Sequence, residues 1–170
     1  MNYDNWTIAQ GRQHLIDHRN EGTHCLLCHR PAKVYRRPIN SSMALVLIEL
    51  RNYYRRSPPF RYIHVPTIVE GLSYPDKIRA ALRGDWPKLR WWGFIVEAPD
   101  TFLPPDGSKS RSGYWCITEY GLSFAEDQAV AYSHVYEYRG EILGWDTDLV
   151  SIKNCLKKKF HYQDLMKGAA

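Results

Sequence analysis

The broadest apolar surface of the chain falls on one helix predicted near its middle. Between residues 40 and 55 the apolar residues recur at helical spacing and cover a wide face: Met43, Leu45, Val46, Leu47, Ile48 and Leu50. Asn40 or Ser41 can cap the start of this helix, and Pro58 and Pro59 follow its end. We therefore expect this helix to lie at the centre of the hydrophobic core.

Shorter helical and strand-like patterns lie on both sides of this central helix. Further helices are expected over 7–21, 67–72, 75–83, 86–92, 118–127 and 151–159. Strands are expected over 33–37, 60–65, 94–97 and 114–117, and a β-hairpin over 135–144. Gly84 is expected to break the helix over 75–83, with Asp85 capping the next helix. This mixture of helices and short strands predicts an α+β fold.

No segment has the length and apolarity of a membrane-spanning helix. The longest apolar run, Met43 to Ile48, is far shorter than the roughly 20 residues that a span requires. The first residues show no basic region followed by an apolar segment, so no signal peptide is expected. We therefore expect a cytoplasmic protein without a membrane partner, whose 4 cysteines are free thiols or metal ligands.

Positive charge is concentrated in one part of the chain. The whole chain carries a net charge of +5. Residues 33–61 alone carry +6, because they contain one acid, Glu49, and seven basic residues: Lys33, Arg36, Arg37, Arg51, Arg55, Arg56 and Arg61. This basic segment either attracts phosphates or an acidic protein surface, or simply forms a solvated surface.

A second pattern runs from the helix over 86–92 to the helix that begins near Thr118. It reads KLRWWGFIVEA, then a loop over 98–113 rich in Pro, Asp, Ser and Gly, then GYWCITEYGLSF. Over about residues 64–127 this order resembles winged helix-turn-helix proteins of the MarR-like kind, including a Thr-x-x-Gly helix start. The resemblance implies a DNA-binding core in which residues 86–92 form the recognition helix and the 98–113 loop is the wing.

Basic residues in these segments are the candidate nucleic-acid contacts. They are Arg36 and Arg37 in the basic segment, Arg79, Lys88 and Arg90 on the helices, and Lys109 and Arg111 in the loop. Pro87 occupies a position where recognition helices often carry base-reading residues, and no Asn or Gln lies between Gly71 and Gly113. We therefore expect binding mainly through phosphates, with the basic segment and the loop tip sharing one surface.

The N-terminal part contains half of a metal-binding motif. Cys25 and Cys28 have the spacing that presents two thiolates to one metal ion, and His14 and His18 lie four residues apart on the predicted first helix. A helix folded back across this Cys knuckle would complete a structural Cys2His2 zinc site. The alternatives are that the two cysteines are ordinary buried thiols, or that they form a redox pair.

No catalytic motif accompanies these features, so we do not expect an enzyme. The chain is expected to form one continuous domain with three segments: 1–62 with the first helix, knuckle and basic central helix, 63–128 with the winged helix, and 129–170 with a hairpin and helix. The primary hypothesis is a DNA-binding regulator, and the alternative is a protein-binding adaptor or inhibitor that docks through the winged helix. The arrangement also resembles uncharacterised phage-encoded small proteins.

Overall fold

The chain folds into helices and small antiparallel sheets that form two compact units. The computed structural model describes residues 6–56, 62–105, 107, 110–158 and 160–167. The first unit, here called the knuckle unit, comprises Met1–Pro38 and His134–Thr147. The second, here called the core unit, comprises Ile39–Ser133 and Asp148–Ala170. The α+β class expected from the sequence is therefore confirmed.

The elements are short apart from one helix. The α-helices are α1 Ile8–His18, α2 Ser41–Arg56, α3 Val65–Gly71, α4 Asp76–Asp85, α5 Glu119–Ala125, α6 Ile152–Leu156 and α7 Tyr162–Lys167, with a 3₁₀ helix at Trp86–Trp92. The strands are β1 Thr23–His24, β2 Pro31–Ala32, β3 Tyr35–Pro38, β4 Ile63–His64, β5 Ile95–Glu97, β6 Tyr114–Ile117, β7 Ala131–Tyr132, β8 His134–Tyr138, β9 Glu141–Trp145 and β10 Leu149–Val150. No helix among the described residues is long and apolar enough to cross a membrane.

The knuckle unit is built from α1 and two antiparallel sheets. Thr7 and Gln10 form a capping box at the start of α1, and none of the α1 residues is buried. Strands β1 and β2 pair on either side of the Cys knuckle, with Thr23 opposite Ala32. Strand β8 lies between β3 and β9, and its Val135 is fully buried.

The core unit is organised around α2. Every residue from Met43 to Leu50 is buried, so the helix is covered on all sides rather than on one face. The surrounding elements are α3, α4, α5, α6, α7, β6 and the 3₁₀ helix. The expectation that this helix forms the centre of a core is confirmed. Its burial includes Glu49 and Asn52, two polar side chains within the apolar surroundings.

A three-stranded antiparallel sheet follows α2 in the core unit, in the order β4-β6-β5. Ile63 pairs with Trp115 across β4 and β6, and Val96 pairs with Cys116 across β5 and β6. Helices α3 and α4 and the 3₁₀ helix lie between β4 and β5 in the chain. The hairpin of β5 and β6 follows these three helical segments and completes the sheet.

Several element boundaries differ from the expectations. Gly84 does not break a helix but lies inside α4. Glycine can adopt helical backbone angles, and its greater loss of conformational entropy destabilises a helix only modestly. Residues 86–92 form a 3₁₀ helix, with a proline in its first turn, instead of an α-helix. The last predicted helix ends at Leu156, where Lys157 has a positive φ of 56°, and a separate helix α7 follows.

Candidate nucleic-acid interface and thiol knuckle

The 3₁₀ helix presents cations on one side and anchors in the core on the other. Leu89 is fully buried, and Trp86 and Trp92 are nearly so. The Trp92 indole Nε1 donates to the Tyr132 carbonyl at 2.7 Å, which satisfies its only polar atom. Lys88 is half-buried and Arg90 is exposed, and the Lys88 ammonium lies 6.0 Å from the Trp91 ring centroid.

The turn from the 3₁₀ helix into the hairpin is fixed by the Thr-x-x-Gly sequence. The Thr118 hydroxyl donates to the Gly93 carbonyl at 2.6 Å and accepts from the Gly121 N–H at 3.0 Å. A Cβ at Gly121 would collide with the backbone carbonyl of Phe94. Glycine is therefore required here because α5 packs directly on the backbone that leads into β5.

Most of the candidate cations in the core unit are paired with carboxylates. Arg79 pairs with Asp76, and the Lys88 ammonium lies 2.5 Å from Asp85 Oδ1. Arg111 pairs with Asp100 at 2.6 Å and Glu97 at 3.5 Å, and it also donates to the Ala98 carbonyl. These pairs are at least partly exposed, so each is weak and open to exchange for a phosphate.

Among the described residues, Arg90 is a candidate cation for which no acidic partner is found. Arg90 is exposed and makes no ion pair within the part of the chain that the structure describes. Lys109, the other candidate in the hairpin loop, lies outside the described residues, as does Arg61 of the basic segment. The surface of the 3₁₀ helix is therefore the best-defined cationic feature of the predicted interface.

The basic segment is divided between the two units, and four of its arginines have acidic partners. In the knuckle unit Arg36 lies 2.5 Å from Asp146, and Arg37 lies 3.8 Å from Glu137 and over the Tyr35 ring. In the core unit Arg51 and Arg55 both donate to Glu126, at 3.0 and 2.6 Å.

Glu126 and Asp146 are held ionised by these arginines. Burial disfavours the charge of Glu126, but hydrogen bonds from Arg55 and Arg51 outweigh it and lower its pKa below the ordinary value. The Arg36 guanidinium likewise lowers the pKa of Asp146. Both acids lie far from their partners in sequence, so the charge count of the basic segment gave no signal of them.

A cluster on the β3-β8-β9 sheet was missed by the sequence reasoning. His134 Nδ1 lies 3.7 Å from Asp146 Oδ2, and the same carboxylate accepts from Arg36. The pairing of β8 with β9 brings Asp146 close to His134. The Asp146 N–H also donates to the His134 carbonyl at 3.1 Å, so backbone and side chains hold the cluster together.

The Cys knuckle forms a closed turn between β1 and β2. The Cys25 N–H donates to the Arg30 carbonyl and the His29 N–H donates to the Cys25 carbonyl, both at 2.8 Å. The backbone N–H of Cys28 is the main cause of a lowered Cys25 pKa, followed by that of Leu27. His29 closes the turn with a φ of 55°. Cys25 is half-buried and Cys28 is exposed, so neither is a buried core thiol.

The two candidate histidines lie together on α1. The rings of His14 and His18 have centroids 4.2 Å apart, and His18 Nδ1 lies 2.9 Å from the His14 carbonyl oxygen. Within the described ranges no three His, Cys, Asp or Glu side chains form a group that could hold a metal ion. The Cys2His2 set of Cys25, Cys28, His14 and His18 is not assembled, and zinc binding stays a prediction.

The remaining cysteines and one acid belong to the interior of the core unit. Burial raises the pKa of Cys116, and it raises that of Cys155 to about 12. Glu49 on α2 lines a cavity of about 230 Å³ with Asn52 and Arg56. Burial raises the pKa of Glu49 against the hydrogen bonds and charges around it.

Comparisons with protein-family models, with curated proteins and with solved structures find no match for this chain.

Proposed function

We propose that this protein binds nucleic acid as a small non-catalytic regulator, using the core unit as a winged helix that contacts mainly phosphates. The observation that carries the proposal is the order of elements in that unit. A long buried helix, a strand, helical segments and a hairpin follow one another, with the first strand paired to the last one of the sheet. Winged helices use this order to place one helical segment and one hairpin beside each other.

The contact surface follows from the 3₁₀ helix and the hairpin after it. Arg90 is the first contact, because its charge is exposed and no carboxylate of the described residues offsets it. Lys88 and Arg111 are secondary contacts, since each must exchange a carboxylate for a phosphate. Exposed pairs of this kind are worth roughly 0–1 kcal/mol, so a polyanion can displace them.

The same geometry argues for weak sequence preference. The recognition segment is a 3₁₀ helix of 7 residues that begins with Trp86 and Pro87, so it offers little regular α-helical surface to a groove. Its outward residues are two cations and a half-buried tryptophan, which contact phosphates and stack without reading base edges. Affinity for unrelated duplexes is therefore expected to be similar.

The test is titration of a fluorescently labelled duplex of arbitrary sequence, followed by anisotropy. Arg90→Glu should weaken binding about tenfold and reduce the slope of log affinity against log salt by about 1 or more. Lys167→Glu, on α7 of the same unit, is the matched control, because it makes the same change of net charge on another exposed side chain. It should bind nearly as tightly as the unchanged protein.

Equal losses for the two variants would show that only net charge matters and that the 3₁₀ helix is not the contact. Absence of binding by the unchanged protein at about 50 mM salt, where phosphate contacts are strongest, would reject the proposal altogether.

A protein partner is the second candidate, and the hairpin favours it. Val96 is exposed on β5, and Leu103 in the loop exposes 87% of its surface, beside the acids Glu97 and Asp100. Exposed apolar residues with a polar rim are typical of a docking surface for a protein. In that case Leu103→Asp would abolish capture of the partner while Arg90→Glu would leave it intact.

A further inference from the structure

The Cys knuckle presents two sulfurs in an arrangement suited to a metal ion. Strands β1 and β2 hold the ends of the turn, and two backbone hydrogen bonds close it, from the Cys25 N–H to the Arg30 carbonyl and from the His29 N–H to the Cys25 carbonyl, both at 2.8 Å. The backbone therefore fixes the positions of Cys25 and Cys28 without a metal ion. The turn therefore resembles half of a tetrahedral thiolate site, with Cys25 and Cys28 as two of four ligands.

The knuckle is open to solvent on its Cys28 side. Cys28 is exposed, and Leu27 between the two cysteines exposes 83% of its surface. No third side chain of the ligating types joins the two cysteines within the described ranges. A tetrahedral site on these two thiolates has room for two further ligands, and an identical pair of thiolates on a second copy supplies the right number and kind.

The surface around the knuckle can receive a second copy. A cavity of about 370 Å³ in the knuckle unit is lined mainly by apolar side chains, among them Trp6, Ile8 and Leu15, and reaches Cys25. In a two-fold arrangement about the metal, each protruding Leu27 meets the same surface of the other copy. A projecting leucine and an apolar cavity on one surface are self-complementary in the way that such symmetry requires.

The charges near the knuckle also fit four thiolates. A zinc ion with four thiolate ligands carries a net charge of −2, whereas one with two cysteines and two histidines is neutral. Arg12 and Arg139 both line the cavity that Cys25 also lines. The guanidinium groups of two copies would offset the charge of a four-thiolate centre.

We propose that Cys25 and Cys28 of two copies of this chain together bind one zinc ion, so that zinc joins the copies at their knuckles. The proposal is independent of nucleic-acid binding, because every residue it uses lies in the knuckle unit. It concerns a structural metal, whose coordination displaces thiol protons to solvent and involves no change of oxidation state.

The experiment measures zinc content and mass of the same sample. Protein reduced and loaded with zinc chloride, then freed of excess metal, should contain half an equivalent of zinc per chain and run as a dimer in light scattering. Removal of zinc with a chelator should give the monomer. Cobalt in place of zinc should give the intense sulfur-to-metal charge-transfer absorption of four thiolates per ion.

Cys28→Ser should lose both the zinc and the dimer, while circular dichroism reports whether the fold is kept. Leu27→Asp keeps both cysteines and should weaken the dimer through the apolar contact, so the proposal does not depend on a cysteine variant alone. The paired variant His14→Gln with His18→Gln is the control, and it should retain half an equivalent of zinc and the dimer.

Two results would overturn the proposal. One full equivalent of zinc in a monomer, lost in the His14→Gln and His18→Gln variant, would establish a site within a single chain. No zinc above background in the reduced, loaded protein would show that the knuckle is a pair of exposed thiols only.

Discussion

The two units of this protein hold their structure by different means. The core unit surrounds α2 with buried side chains on every side, so its stability comes from apolar area removed from water. In the knuckle unit no residue of α1 is buried, and the strands β1 and β2 have only 2 residues each. Few of its residues are buried, among them Ala32 and Val135. The comparison indicates that apolar packing stabilises the core unit, whereas the knuckle unit has few buried side chains to stabilise it.

The four cysteines test this comparison most strongly, because each unit has two. In reduced, metal-free protein, Cys25 and Cys28 should react at once with a chromogenic disulfide reagent, since one is exposed and the other has a lowered pKa. Cys116 and Cys155 should react only on unfolding of the core unit, which costs about 5–15 kcal/mol in a typical domain. Stopped-flow absorbance should show two fast and two very slow thiols. Four fast thiols would contradict the packed core.

Truncation on α2 should have the next largest effect. Leu47 is fully buried, so Leu47→Ala should lower the free energy of unfolding by about 2–5 kcal/mol through lost contacts and a cavity. Leu103→Ala is the control in the same unit, because that side chain is 87% exposed and should cost under about 0.5 kcal/mol. Urea unfolding followed by tryptophan fluorescence measures both. Similar midpoints for the two variants would mean that α2 is not the centre of the core.

Substitutions at two glycines should change the stability of the core unit by less than truncation on α2, and in opposite directions. Gly121→Ala should destabilise the core unit by roughly 1–3 kcal/mol, because its Cβ meets the Phe94 carbonyl and the backbone must move. Gly84→Ala should stabilise it by up to about 1 kcal/mol, because the site is open and lies inside α4. Thermal unfolding of the two variants checks both signs. A tolerated Gly121→Ala would remove the close contact that we assign to the Thr-x-x-Gly sequence.

The ion pairs of Glu126 should contribute the smallest effect and should depend on pH. Glu126→Gln should cost about 1 kcal/mol at neutral pH, because Arg51 and Arg55 lose their shared carboxylate. The folded pKa of Glu126 is lowered, so its contribution is complete above the ordinary value of 4.5 and is lost as the pH falls through the lowered value. Urea unfolding at about pH 7 and about pH 3 should show the difference from the unchanged protein shrinking with acidity. A difference that stays constant would exclude this carboxylate as its source.

The sequence predicted those parts of the fold that depend on neighbours in the chain. The helical period over α2, the hairpin at 135–144 and the helix that begins near Thr118 all rest on local patterns, and the structure has each of them. The errors have local causes as well. A glycine is tolerated inside α4, and the proline-containing turn after it forms a 3₁₀ helix.

The candidate site was harder to predict from the sequence, because its ion pairs join residues that are far apart in the chain. Counting cations gave the basic segment its net charge, but it could not show that Arg36 meets Asp146, 110 residues away, or that Arg51 meets Glu126, 75 residues away. The sequence also did not show which of the adjacent residues Trp91 and Trp92 is buried in the core. In the structure Trp92 is the more deeply buried. Adjacent residues differ in environment only through the surfaces that pack against them.

By itself, then, the sequence determined most of the helices and the longer strands and the place of the Cys knuckle between them, because hydrophobic period, caps and turn residues act over a few positions. Tertiary structure alone decided which cations pair with an acid, which thiols are buried and which histidine lies beside an acid. Those properties depend on side chains that the chain brings together from far apart, and Coulomb and burial energies act through distance in space, whatever the separation along the sequence.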